Sequence, residues 1–373
     1  MKKSMLRVLA LAGASALALA GCAEPPGQTT PTDPAAPSPT ATDTAAPPAA
    51  SDFKACMVSD AGGFDDKSFN ETAYKGLTDA VAQLGIQKGE IESNAEDEFA
   101  GNVQAMIDAK CDLVITVGFA LADATQAAAK QNPDVKFAIV DYGSFEGVDN
   151  AKGLLFNTAE PSFLAGYVAA AMTKTGTVGT FGGAAYPTVT IFMDGFQQGV
   201  LHYNEVKGAD VSVIGWDEAA QDGQFIGGNN PFGDIPGGKN TASTLIAQGA
   251  DIILPVAGPA GAGALQAAQE SGGQVNVIWV DADGYISMPE YKANIITSVQ
   301  KAMDVAVFEA IQADLDGSFS SEPYVGTLEN DGVLLAPFHD FESQLPEGLA
   351  AELEQLEADI ISGAITITSP TQP

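Results

Sequence analysis

The residues best placed to do chemistry in this chain come directly after short apolar runs. They are carboxylates, amides and aromatics. Lys54 to Ser59 leads into Asp60-Ala61-Gly62-Gly63-Phe64-Asp65-Asp66-Lys67-Ser68-Phe69-Asn70, Cys111 to Val117 into Gly118-Phe119-Ala120-Leu121-Ala122-Asp123, and Lys136 to Val140 into Asp141-Tyr142-Gly143. Further along, Gly182-Gly183, Trp216-Asp217, Ala257-Gly258-Pro259-Ala260-Gly261 and Asp281-Ala282-Asp283 take the same place. In open parallel sheets, ligands sit outside the carboxyl ends of the strands, so two such rims facing each other describe a cleft. The chemistry it offers is hydrogen bonding to hydroxyls and N–H groups and stacking on a flat surface. The one arginine is Arg7, and the remainder of the chain has no guanidinium fork for a carboxylate or phosphate. A neutral, planar, hydroxyl-rich ligand suits these rims, with helix N-termini the remaining way to hold an anion.

Catalytic patterns are weak by comparison. His202 falls in a helical stretch and His339 in a C-terminal segment, so neither joins a metal cluster or a triad. Neither Gly-x-Ser-x-Gly nor the dinucleotide Gly-x-Gly-x-x-Gly occurs. Gly233-Asp234-Ile235-Pro236-Gly237-Gly238-Lys239-Asn240 approaches a phosphate loop, but has Asn where Ser or Thr must hold magnesium. Asp281-Ala282-Asp283-Gly284 starts like a calcium loop and lacks the later ligands. No enzyme, metal site or cofactor is expected.

The elements that must position these rims alternate regularly. Thr177 to Gly182, Asp210 to Ile214, Asp251 to Val256 and Val275 to Val280 join the three runs above as strands buried on both faces. Between the strands lie Ala-rich amphipathic stretches such as Asn70 to Leu84, Ala120 to Lys130, Ser162 to Lys174 and Thr190 to Asn204. Alternation of this kind gives parallel sheets with helices on both faces. The expected fold is therefore α/β, with two doubly wound lobes joined by a hinge. A closed eight-stranded barrel would need even repeats, and the Gly- and Asn-rich interruption at 221–240 spoils them. The expected division is 52–157 plus 298–318 for the first lobe and 158–297 plus 319–366 for the second, with a tail at 367–373. Cys56 and Cys111 open neighbouring strands, so they form either a disulfide or two buried thiols.

The N-terminal end reads differently. Lys2, Lys3 and Arg7 precede the apolar stretch Val8 to Ala20, which is too short to span a bilayer comfortably. Leu19-Ala20-Gly21-Cys22 resembles the bacterial lipobox, so 1–21 reads as a signal peptide and Cys22 as a lipidation site. Residues 22–51 are rich in Pro, Thr and Ala and read as a tether. Processing would leave 13 lysines against 48 acids, a net charge of −35 in place of −32. Such a field repels phosphate backbones, and no nucleic-acid partner is expected. At 46% hydrophobic and 17% charged, the chain still has ample material for a core. An extracytoplasmic protein held at the cell membrane by its lipid is the resulting expectation.

Gly62-Gly63-Phe64-Asp65-Asp66-Lys67-Ser68-Phe69-Asn70, Val117 to Asp123, Phe163-Leu164-Ala165-Gly166-Tyr167, Phe192-Met193-Asp194-Gly195-Phe196 and Thr297-Ser298-Val299-Gln300-Lys301 resemble the basic membrane protein family. These are PnrA-like lipoproteins, the substrate-binding components of ABC importers. The resemblance, over about 53–338, implies the two-lobed type I periplasmic-binding fold, capture of a purine nucleoside between the lobes, and delivery to an ABC permease by a monomer. A phenylalanine of the first motif would stack on the base, and either Phe64 or Phe69 matches it. Trp216 or Phe192 can close the other side. Asp141 and Asp123 are candidates for the base edge, Asp281 and Lys301 for the ribose, and Asp60, Asn70 and Gly258 for the rim. Simpler roles compete: Phe69 and Phe196 fall in helical core patterns, Asp65 and Ser68 can cap a helix, and Asp123 can complement a helix dipole. Receptors for a sugar or signalling molecule, and a nucleoside-processing surface hydrolase, are the alternative functions.

Overall fold

The computed structural model describes residues 51–373. The signal segment 1–21, the lipidation site Cys22 and all but the last residue of the tether lie outside the described residues. Along the first half of the chain, β1 (Lys54–Ala61), β2 (Gln87–Ser93), β3 (Leu113–Val117), β4 (Lys136–Val140) and β5 (Ala151–Phe156) alternate with α1 (Phe69–Leu84), α2 (Phe99–Asp108) and α3 (Ala122–Gln131). The second half repeats the scheme. After α4 (Ala159–Met172) come β6 (Thr177–Gly182), α5 (Pro187–Lys207), β7 (Ser212–Ile214), a hairpin of β8 (Trp216–Asp217) and β9 (Asp222–Gly223), and α6 (Ile235–Ala247). They continue into β10 (Ile252–Val256), α7 (Ala262–Glu270), β11 (Asn276–Asp281), the short α8 (Gly284–Ser287) and β12 (Ile295–Lys301). The chain ends with α9 (Met303–Leu315), β13 (Tyr324–Gly326), β14 (Val333–Leu335) and α10 (Leu349–Ile361).

The strands make two sheets of the same order, β13-β5-β4-β3-β1-β2 and β14-β12-β11-β10-β6-β7. Every pair in them is parallel except β12 with β14. Parallel pairing explains the composition: Leu113–Val117 and Ile252–Val256 are buried at every residue, because helices cover both faces. The order reverses between β1 and β3 in one sheet and between β6 and β10 in the other, which opens a crevice at their carboxyl ends.

Two boundaries differ from the expected division. Tyr324–Gly326, expected with the second lobe, pairs with β5 as the outer strand of the first sheet. Ser298–Lys301, expected to begin the first lobe's return, completes β12, which pairs with β11 as far as Asp281 opposite Gln300. The first lobe therefore takes back α9 and β13, and the chain crosses between lobes after Asn157, at Ala302 and after Gly326. The crossings are laced together. Asn157 N–H donates to Gly326 O (2.8 Å) and Ala302 N–H to Gly332 O (2.9 Å). The Glu160 carboxylate accepts from Asn157 Nδ2 (2.8 Å) and from Leu328 N–H (2.7 Å).

Two of the motifs are explained by packing. Helix α4 is buried from Pro161 to Ala170 and lies against α5, and a Cβ on Gly166, Gly195 or Gly199 would collide with the carbonyl of Phe196, Ala159 or Phe163. Cys56 and Cys111 are bridged, with Cα atoms 5.9 Å apart. The bridge ties β1 to the turn just before β3 beneath Phe99, Val103 and Met106 of α2, and on the chain-entropy picture it is worth about 4 kcal/mol. The 221–240 interruption contains β9, a loop and the start of α6, where Asp234 accepts from Gly237 N–H as N-cap. The near-phosphate-loop sequence is thus a capped helix start.

Candidate functional site

The crevice between the sheets holds a cavity lined by both lobes. Of the residues expected at the ligand, Asp60, Asn70, Asp141, Phe192, Gly258, Asp281 and Lys301 line it. Asp141 and Asp281 occupy matching positions, one just past β4 and the other at the end of β11. Both are buried, and both have positive φ, 66° and 69°. A non-glycine residue there is strained, and the strain turns each carboxylate toward the interlobe space.

Lys301, at the end of β12 and 4% exposed, answers both acids. Its Nζ lies 2.6 Å from Asp141 Oδ2 and 3.7 Å from Asp281 Oδ1. The ammonium also sits 5.1 Å from the ring centroids of Phe69 and Phe192. Burial pushes the carboxyls of Asp141 and Asp281 up while Lys301 opposes the shift. Ser68 adds a contact across the lobes, its Oγ donating to Asp281 Oδ2 (3.0 Å).

The first lobe supplies a polar corner. Asn70 Nδ2 donates to Asp60 Oδ1 (2.8 Å) and Asp66 Oδ2 (3.1 Å), leaving its Oδ1 buried without a partner. Burial pushes Asp60 up to about 8, opposed by Asn70 and reinforced by Asp66, Asp141 and Asp281. Asp66 accepts the N–H groups of Ser68, Asn70 and Glu71. It therefore caps α1, the role expected of Asp65 or Ser68. Asp65 is exposed and pairs with Lys67.

Aromatic side chains complete the wall. Phe69 and Phe119 come from the first lobe, Tyr186 and Phe232 from the second. Phe119 and Tyr186 meet across the gap at 5.1 Å, and Tyr186 meets Phe232 at 5.8 Å. Phe232 rides over Gly183, where any Cβ would strike its ring.

Three expected residues lie elsewhere. Phe64 stacks on Tyr74 at 4.5 Å in a neighbouring groove, because its backbone N–H is held by Glu92 (2.8 Å). Trp216 is buried with its indole N–H on Asp194. Asp123 is an exposed acid in the first turn of α3, where it favours the helix dipole. Of the two residues given core patterns, Phe196 is core and Phe69 faces the cleft. Phe119 and Tyr186 sit directly in strand-end loops, a signal open to sequence reading. Phe232 lies in the aperiodic interruption and carried none. His202 packs against Phe163 and Tyr167, and His339 against Tyr285 and Asp283. Among the described residues no group of three or more His, Cys, Asp or Glu is placed to hold a metal.

Two similar lobes, three laced crossings and a buried interlobe cleft define a solute-binding protein of the periplasmic-binding fold. The chain belongs to the family described as ABC transporter substrate-binding protein PnrA-like, whose family model matches residues 53–370. Members of this family bind substrates for transporters and are not enzymes. "ABC transporter nucleoside-binding protein BmpA" of Lactococcus lactis is 30% identical over 387 aligned positions, 99% of this chain and 100% of that protein. "Basic membrane protein A" of Borreliella burgdorferi is 33% identical over 242, covering 64% of this chain and 66% of that one, just under two thirds of its length. The solute-binding protein structure from Aeropyrum pernix K1 superposes with a TM-score of 0.73 at 26% identity, over 85% of this chain and 94% of that one. Among the described residues no helix is long and apolar enough to cross a membrane.

Proposed function

We propose that this protein captures a nucleoside, preferentially a purine nucleoside, between its lobes and delivers it to an ABC permease. The observation that carries this reading is the pairing, in one cavity, of the aromatic faces of Phe69 and Phe232 with the Asp141–Lys301–Asp281 cluster. The base lies between the aromatic faces, its edge toward Asp60 and Asn70, and the ribose hydroxyls reach Asp281 and Lys301. Five aromatic rings around the cavity give area enough for a bicyclic base. Four acids against one lysine favour an uncharged ligand rich in donors. The 30% identical relative from Lactococcus lactis is itself named nucleoside-binding. Lipidated at Cys22, the protein works as a monomer on the extracytoplasmic face of the membrane, standing off on its 22–51 tether.

The test is calorimetric titration with inosine, guanosine, adenosine, uridine and ribose, after unfolding and refolding to strip co-purified ligand. Tight binding of the purine nucleosides with weak uridine and no ribose binding is expected. Binding of ribose as tight as of nucleosides would make this a sugar receptor. Silence toward all five would remove the nucleoside reading and leave the fold intact.

A further inference from the structure

Asp194 lies in the middle of α5, fully buried, two residues beyond Phe192 of the cleft. Its Oδ1 accepts from Trp216 Nε1 and from Gln221 Nε2, each at 2.9 Å. Its Oδ2 accepts from Ser369 Oγ at 2.6 Å. Trp216 and Gln221 belong to the β8–β9 hairpin and its turn, and from that hairpin the chain runs directly into the segment that ends at Phe232. The path is fastened step by step: Gln224 N–H donates to Gly215 O, Gly182 N–H to Gln224 O, Ile226 N–H to Gly182 O and Gly227 N–H to Gly183 O, all within 3.0 Å. At the far end Ala260 N–H donates to Phe232 O (2.8 Å). Phe225, edge-on to Trp216 at 6.1 Å, fills the space over Gly182 just as Phe232 fills that over Gly183.

A buried carboxylate that spends one oxygen on two side chains of a single hairpin fixes that hairpin's place on α5. We infer that Asp194 is a positioning residue for ligand recognition: through Trp216 and Gln221 it holds the 221–234 segment so that Phe232 stands in the cleft opposite Phe69. This rests on the nucleoside reading of the cleft. The Oδ2 arm, which takes Ser369, serves the C-terminal tail and not the ligand.

The experiment is a double-mutant cycle in the full-length protein, with inosine titration and amide hydrogen exchange across 221–234 as the two readouts. F232A is expected to weaken inosine about tenfold or more by removing a stacking face. D194A weakens it to a similar degree, adds nothing in the F232A background, and raises exchange across 221–234. D194N keeps an oxygen for Trp216 and Gln221 and restores both affinity and protection. Truncation after Ile367, which removes Ser369, leaves affinity within about twofold. If D194A does not fold, Q221A is read in the same way. Additive losses in the double variant, or unchanged exchange across 221–234 in D194A, overturn the proposal. Failure of the wild type to bind any nucleoside sinks the ligand reading separately, and the exchange readout then decides alone whether Asp194 holds the segment.

Discussion

The two lobes share one sheet order and differ in what they bring to the cleft. At one pair of equivalent strand ends they agree: Asp141 after β4 and Asp281 on β11 have the same left-handed backbone and the same lysine between them. At another pair they part. At the end of β1 the first lobe places Asp60, with Asn70 and Asp66 behind it, whereas at the end of β6 the second places Gly182-Gly183, and the space over these glycines is filled by Phe225 and Phe232. The repeated scaffold sets where a residue must stand. The polarity of each side is set by the residue type at the strand end, a carboxylate in one lobe and a glycine pair in the other.

The largest effect should come from breaking what the lobes share. Lys301→Met leaves two buried carboxylates uncompensated and should cost about 3–5 kcal/mol near neutral pH, measured by urea denaturation. Because both acids are already pushed up by burial, the loss should shrink as pH falls. The bridge is a feature of one lobe only, and removing it with a Cys56→Ala, Cys111→Ala double change should cost about 2–4 kcal/mol. On the ligand side, Phe69→Ala should lower nucleoside affinity about 10- to 100-fold by titration. Asp60 sharpens the contrast through pH. The unfolded chain releases that proton near pH 4 and the folded one at about 8, so the native state holds the extra proton between those values and stability falls as pH rises through the window. Asp60→Asn should remove that slope from denaturation midpoints collected between pH 5 and 9. Phe64→Ala should change affinity by less than about twofold, since the ring lies against Tyr74 outside the cleft.

Legibility in the sequence tracks burial. Strands covered on both faces, such as Leu113–Val117 and Ile252–Val256, are uninterrupted apolar runs and plain to read. The strand Gln87–Ser93 is an exposed edge with no apolar run, and Tyr324–Gly326 is three residues long, so neither shows a pattern. That short strand is the reason the lobe boundary moved. Within the site, Asp141, Asp281 and Lys301 are legible because strand ends dictate where they stand. Phe64 and Phe69 are not separable by spacing, since a backbone bond from Phe64 to Glu92 decides which ring turns inward. Phe232 depends on hydrogen bonds to Gly182 and Gly183 from a segment with no periodicity.

The outer strands of the two sheets have a bearing on life in a crowd. A sheet edge offers unpaired backbone groups to any other chain. Here the edge strands β7, β13 and β14 are three residues each, too short to template a partner. Among the described residues the one long edge, β2, carries Lys88, Glu90 and Glu92, charges that oppose stacking against a second copy. Many copies can therefore be packed side by side at high density without fusing edge to edge into aggregates.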